Sequence, residues 1–92
     1  FRKALEINPH SADNHFGLAM AYQRNFIDHL AEEAFLKAID LAPGHLDARL
    51  YLSILYADRG DLKKAGGQLR KILEIDPTHK TAQEFLESIG NE

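Results

Sequence analysis

The sequence predicts an all-α fold, an array of short antiparallel helices, and three observations carry that prediction. A nine-residue phrase occurs three times, at 1–9 (FRKALEINP), 35–43 (FLKAIDLAP) and 69–77 (LRKILEIDP), so that its prolines stand 34 residues apart. Within each phrase apolar residues recur at helical spacing, as in Phe35, Ala38, Ile39 and Leu41, while Lys3, Lys37 and Lys71 face outward. No segment alternates with period two and no loop is long, so nothing in the chain asks for a strand. Proline cannot donate to the helix ladder and pushes the residue before it out of the α region, so each phrase is a helix end. A helix end repeated at a fixed period marks a repeat protein, whose units bury their apolar faces only by stacking.

Taken in order, residues 1–9 read as the end of a preceding unit's second helix, and the chain reads as one section of something longer. A first full unit spans 10–43. Ser11 is its N-cap, a helix runs over 12–24, Asn25 is suited to a left-handed turn, and a second helix runs over 28–41 from a cap at Asp28. A second unit spans 44–77, with helices over 46–58 and 62–75. Gly60 ends the first of these and Asp61 caps the second. Residues 78–92 form a capping helix over 79–89, and all units belong to one structural domain. The first helix of the first unit is apolar on two faces (Phe16, Ala19 and Met20; Leu18, Ala21 and Tyr22), as a helix inside a stack must be. Gly66 and Gly67 lie in the middle of the helix over 62–75, at a cost of about 1.5–2 kcal/mol relative to two alanines. Either a neighbour approaches closely there or the helix is locally soft.

Composition narrows the function classes. The net charge is −3, from 11 basic and 14 acidic residues, which argues against general affinity for nucleic acid or an anionic membrane. There is no cysteine, so disulfides, thiolate metal sites and a cysteine nucleophile are excluded. No apolar run approaches the roughly 18 residues of a membrane span. The compartment is undetermined, cytoplasmic by default. Five histidines invite a metal site, but His45 and His79 occupy the same position in successive units. Neighbouring helices pack about 10 Å apart, whereas zinc holds its nitrogen ligands at about 2.1 Å. No metal or other cofactor is therefore expected. The hydroxyls of Ser11, Thr78 and Ser53 have capping or packing explanations, and no strand feeds a phosphate-binding loop, so no catalytic residue is assigned. Lys63, Lys64, Arg70 and Lys71 form a basic stripe on one helix, most simply a solvated face.

The pattern resembles the tetratricopeptide repeat, Trp-x2-Leu-Gly-x2-Tyr, then Ala-x3-Phe, then Pro. The first unit reads His15-x2-Leu18-Ala19-x2-Tyr22, then Ala31-x3-Phe35, then Pro43. The second reads Arg49-x2-Leu52-Ser53-x2-Tyr56, then Ala65-x3-Leu69, then Pro77. The last helix begins a third with Gln83-x2-Leu86-Glu87, where Gly90 replaces the tyrosine. The resemblance covers nearly the whole chain and implies a right-handed α-solenoid of antiparallel helix pairs, about 2.7 units long, close to the minimum for stability. Physically, small residues at Ala19, Ser53, Ala31 and Ala65 let helices approach, and Leu18, Leu52, Tyr22, Tyr56, Phe35 and Leu69 fill the space between them.

The resemblance further implies that the first helix of each unit lines a concave groove that binds peptides. Carried over position by position, the groove residues are Asp13, Phe16, Met20, Gln23 and Arg24, then Asp47, Leu50, Tyr51, Ile54 and Asp58, then Glu84 and Phe85. An apolar stripe rimmed by acids suits a protein partner. One subtype of the family clamps a C-terminal carboxylate with Lys, Asn and Arg at the second and sixth positions of these helices. Here those positions hold Asp13 and Gly17, Asp47 and Tyr51, Thr81 and Phe85, so the expected partner is a segment with apolar anchors and some positive charge. The expected function is a non-catalytic interaction scaffold. Self-association through the apolar N-terminal edge (Phe1, Ala4, Leu5, Ile7) is the alternative. RNA binding by a related helical repeat is disfavoured by Asp13, Asp47 and Asp58.

Overall fold

The computed structural model describes residues 11–90, which form five helices and no strand. They are α1 (Ala12–Arg24), α2 (Asp28–Leu41), α3 (Leu46–Asp58), α4 (Leu62–Ile75) and α5 (Lys80–Gly90). Four of the five spans are those the sequence predicts, and α5 starts and ends one residue later. The expected helix end over 1–9 lies outside the described residues. No described helix is long and apolar enough to cross a membrane.

The helix ends explain the boundaries. The Ser11 hydroxyl accepts from the Asn14 amide at 3.3 Å, and an Asp61 carboxylate oxygen accepts from the Lys64 amide at 3.2 Å, so two expected caps are in place. Two other local expectations need correction. The left-handed residue after α1 is Phe26 (φ 61°), not Asn25, whose φ is −96°. Asn25 instead turns its side chain back, and its Nδ2 donates to the Ala21 carbonyl at 2.9 Å. Asp28 does not cap α2 either. It is the first helical residue, and Ile27 holds the cap position without a side-chain bond.

The chain divides into two compact units, Phe1–Ala48 and Arg49–Glu92, with the division inside α3. In the first unit α1 packs along α2. Ala19, Ala31, Phe35 and Ala38 are fully buried there, and the small side chains let the two backbones approach while Phe35 supplies the bulk. In the second unit α4 packs along α5. Leu52, Ser53, Ala65, Leu69, Ile72 and Ala82 are fully buried. Ser53 is satisfied inside its own helix, donating to the Arg49 carbonyl one turn back at 2.8 Å.

Candidate functional site

Helical spacing groups the expected groove residues by element. On α1, Asp13, Phe16, Met20, Gln23 and Arg24 recur at three- and four-residue steps and share a face. On α3 the same holds for Asp47, Leu50, Tyr51, Ile54 and Asp58. Glu84 and Phe85 are neighbours on α5. Their exposure sorts by chemistry. The charged members Asp13, Arg24, Asp47, Asp58 and Glu84 are exposed, while Phe16, Met20, Gln23, Leu50, Tyr51, Ile54 and Phe85 are half-buried.

Within the first unit the structure brings Asp13 and Phe16 together around a residue that the sequence reading did not place there. His45 Nε2 lies 2.9 Å from an Asp13 carboxylate oxygen, and the His45 ring packs on Phe16 at 4.9 Å between centroids. Phe16 in turn tilts against Phe35 at 6.1 Å. The other ring nitrogen of His45, Nδ1, accepts from the Ala48 amide at 3.1 Å. An amide can only donate, so Nδ1 is bare and Nε2 carries the proton that points at Asp13. His45 therefore caps α3 and fastens its start to α1. His79 does the same at the start of α5, its Nδ1 accepting from Ala82 at 3.1 Å. The signal was present in the sequence, a histidine one residue before each of two helices at the same repeat position. Imidazole is simply outside the usual set of capping side chains.

In the second unit Arg49 is buried and its Nη1 donates to Gln68 Oε1 at 2.9 Å, tying α3 to α4. Burial lowers the Arg49 pKa from its ordinary value, against the opposing charge of Glu74. The Lys64 ammonium stands 5.6 Å from the Tyr56 ring centroid. Before α5, an Asp76 carboxylate oxygen accepts from both the amide (3.1 Å) and the hydroxyl (2.7 Å) of Thr78. Those two bonds, helped by His79, hold the Asp76 pKa below its usual value.

The basic stripe is solvated. Lys63, Lys64, Arg70 and Lys71 are all exposed, and Lys71 pairs with Glu74 on its own helix at 3.7 Å. Such pairs contribute little. At Gly66 the close neighbour is Arg70, whose guanidinium would stand 3.7 Å from an added Cβ, while Gly67 faces open space.

One hollow, of about 320 Å³, opens on the first unit. His15 and Tyr22 of α1 and Leu30, Glu33, Ala34 and Lys37 of α2 line it. Among these only Ala34 is buried, so the rings of His15 and Tyr22 and the Leu30 side chain remain half-open. Among the described residues no group of three His, Asp or Glu could hold a metal ion.

The family profile described as tetratricopeptide repeat matches residues 30–89. A protein of Petunia hybrida named "Probable UDP-N-acetylglucosamine--peptide N-acetylglucosaminyltransferase SPINDLY" is 33% identical over 86 residues, 94% of this chain and 9% of its own length. The chain thus spans about a tenth of the first curated relatives it matches. Among solved structures, MamA superposes with a TM-score of 0.88 at 24% identity, over 96% of this chain and 52% of that one. The first TPR of Spaghetti (RPAP3), bound to the HSP90 peptide SRMEEVD, superposes at 0.89 with 21% identity, over 98% of this chain and 71% of that one. At those identities the two likenesses show the fold.

Proposed function

The chain belongs to the tetratricopeptide repeat family, and from that premise we propose that it is a non-catalytic protein-interaction module. It takes a peptide segment with apolar anchors along the inner helices. The observation that carries this reading is one face of α3. Leu50, Tyr51 and Ile54 stay half-buried on it, flanked at either end by the exposed acids Asp47 and Asp58. An apolar patch rimmed by charge is the make-up of a recognition surface. On α5, Phe85 beside Glu84 repeats the combination.

The acids set the sign of the partner. The peptide in the RPAP3 complex is acidic near its end, SRMEEVD. In this chain the positions that would clamp such an end carry Asp13, Gly17, Asp47, Tyr51, Thr81 and Phe85, which offer it no cation. The partner segment is therefore apolar with lysine or arginine flanks, attracted by Asp47, Asp58 and Glu84. A random peptide library selected on the intact chain tests this. Enriched sequences should carry an aromatic or aliphatic anchor beside basic residues. They should bind roughly tenfold or more weakly to Tyr51→Ala/Ile54→Ala, the loss of one anchor's contact, with circular dichroism unchanged. Enrichment of acidic ends, or binding indifferent to both substitutions, would overturn the reading.

A further inference from the structure

We propose that the exposed face of α4 around Gly67 is a second docking surface, which takes an acidic protein segment by a glutamate or aspartate side chain set over the glycine. It lies on another helix than the α3 face, so it stands or falls separately from the peptide reading.

Positions three and four residues away are the surface neighbours of any residue on a helix. At Gly67 those four neighbours are Lys63, Lys64, Arg70 and Lys71, and all are exposed cations. At 3.6 residues per turn, Lys63 and Arg70 fall on one flank of the glycine and Lys64 and Lys71 on the other. No Asp or Glu stands anywhere in 63–71. The place these cations surround is open, because a Cβ added at Gly67 meets nothing within 4 Å. Packing therefore does not require a glycine there, although glycine is among the least favoured residues inside a helix.

The first unit builds the same positions differently. Glu32 and Glu33 stand where the second unit has Gly66 and Gly67, and His29, Leu30 and Leu36 stand where it has Lys63, Lys64 and Arg70. The central position of α2 thus holds an acid, Glu33, with Lys37 one turn on, while α4 has four cations and no acid at its centre. Ion pairs do not neutralise the four. Lys64 lies 4.0 Å from Asp61 and Lys71 lies 3.7 Å from Glu74, exposed pairs of little strength. Lys63 and Arg70 make no ion pair among the described residues.

A carboxylate from outside the chain can sit where a side chain at position 67 would point, within reach of cations on both flanks. Without a Cβ there, the partner's backbone can approach closely. Charge complementarity of this kind steers association and fixes register. The patch is too short for a phosphate chain. Lys63 and Arg70 stand about 10.5 Å apart along the axis. Asp61 and Glu74 bound the patch, so a nucleic-acid backbone running on in either direction meets like charge.

The test uses the intact 92-residue chain and a fluorescein-labelled, alanine-based helical peptide with two glutamates one turn apart. Fluorescence anisotropy should show binding that is about tenfold or more tighter than that of the same peptide with glutamines. Lys63→Gln/Arg70→Gln should weaken it about tenfold or more, whereas Lys37→Gln/Lys80→Gln, which removes the same charge elsewhere, should change it less than about twofold. Gly67→Gln keeps all four cations and fills the place between them. It should weaken binding about fivefold or more while raising the thermal unfolding midpoint, so that lost binding is not lost folding. No binding of the glutamate peptide, equal weakening by the two double variants, or indifference to Gly67→Gln would each overturn the proposal. So would a single-stranded RNA that binds this face more tightly than the peptide does, or self-association of the chain alone that Lys63→Gln/Arg70→Gln abolishes.

Discussion

The two units end their first helices with the same backbone motif and different residues. After α1, the Ile27 amide bonds the Tyr22 carbonyl (2.9 Å) and the Phe26 amide bonds that of Gln23 (3.1 Å). After α3, Asp61 bonds Tyr56 (2.9 Å) and Gly60 bonds Ala57 (3.0 Å) in the same register. This is the Schellman arrangement, which needs a left-handed residue at its corner. The second unit puts glycine there, at φ 82°, while the first puts a phenylalanine at φ 61° with its side chain 89% exposed. The hydrogen bonds and the buried faces thus decide the corner's geometry, and the residue follows even when it is a poor match. Equivalent positions also differ at His15 and Arg49: the half-buried His15 borders the hollow, and the buried Arg49 bonds Gln68.

The contrast at His15 and Arg49 gives the largest expected effect. Arg49→Ala removes a buried charged donor and strands Gln68. It should cost about 2 kcal/mol in urea unfolding, as bonds to charged groups do. His15→Ala at the edge of the hollow should cost less than about 1 kcal/mol. Equal losses would mean that the two positions are equivalent in energy as well as in register. The corner comes next. Phe26→Gly relieves a left-handed penalty of about 1–2 kcal/mol, less the entropy that glycine adds to the unfolded chain, for a net gain of about 0.5–1 kcal/mol. Gly60→Ala should lose about 1 kcal/mol by the same penalty. An added Cβ there meets nothing within 4 Å, so the loss would report the backbone alone. Differential scanning calorimetry of both variants reads the opposite signs.

The smallest effect lies at the breaks before α3 and α5. Both carry a backbone bond from the histidine amide, to Ala42 at 2.9 Å and to Asp76 at 3.1 Å, but only Asp76 adds a side-chain turn. Its pKa is lowered in the folded chain, so the folded state binds that proton less readily than the unfolded state. The stabilisation is complete above the unfolded value of about 4 and fades as pH falls through the lower folded value. Unfolding midpoints measured down the acid range should fall less steeply for Asp76→Ala than for the parent chain.

Much of the fold was legible because its punctuation is local. Ser11, Gly60, Asp61 and the prolines at 43 and 77 each act within a turn of where they stand, and the helix spans follow from them. Phe26 was not legible, since a propensity argument prefers Asn25 for a left-handed corner. Only the register of Gly60, carried back 34 positions, points one residue further. On the candidate surface, spacing places the members on shared faces of α1 and α3. It does not reveal that Asp13 answers His45, because that pairing joins residues 32 positions apart through the fold.

The ring-capped helix starts carry a spectroscopic consequence. Because an amide donates to Nδ1 of both His45 and His79, each imidazole is held in a single tautomer for as long as its helix start is intact. The side-chain nitrogen resonances of two native residues therefore report, without an attached label, whether the first turns of α3 and α5 are wound. Melting of either turn would free its ring to exchange between tautomers.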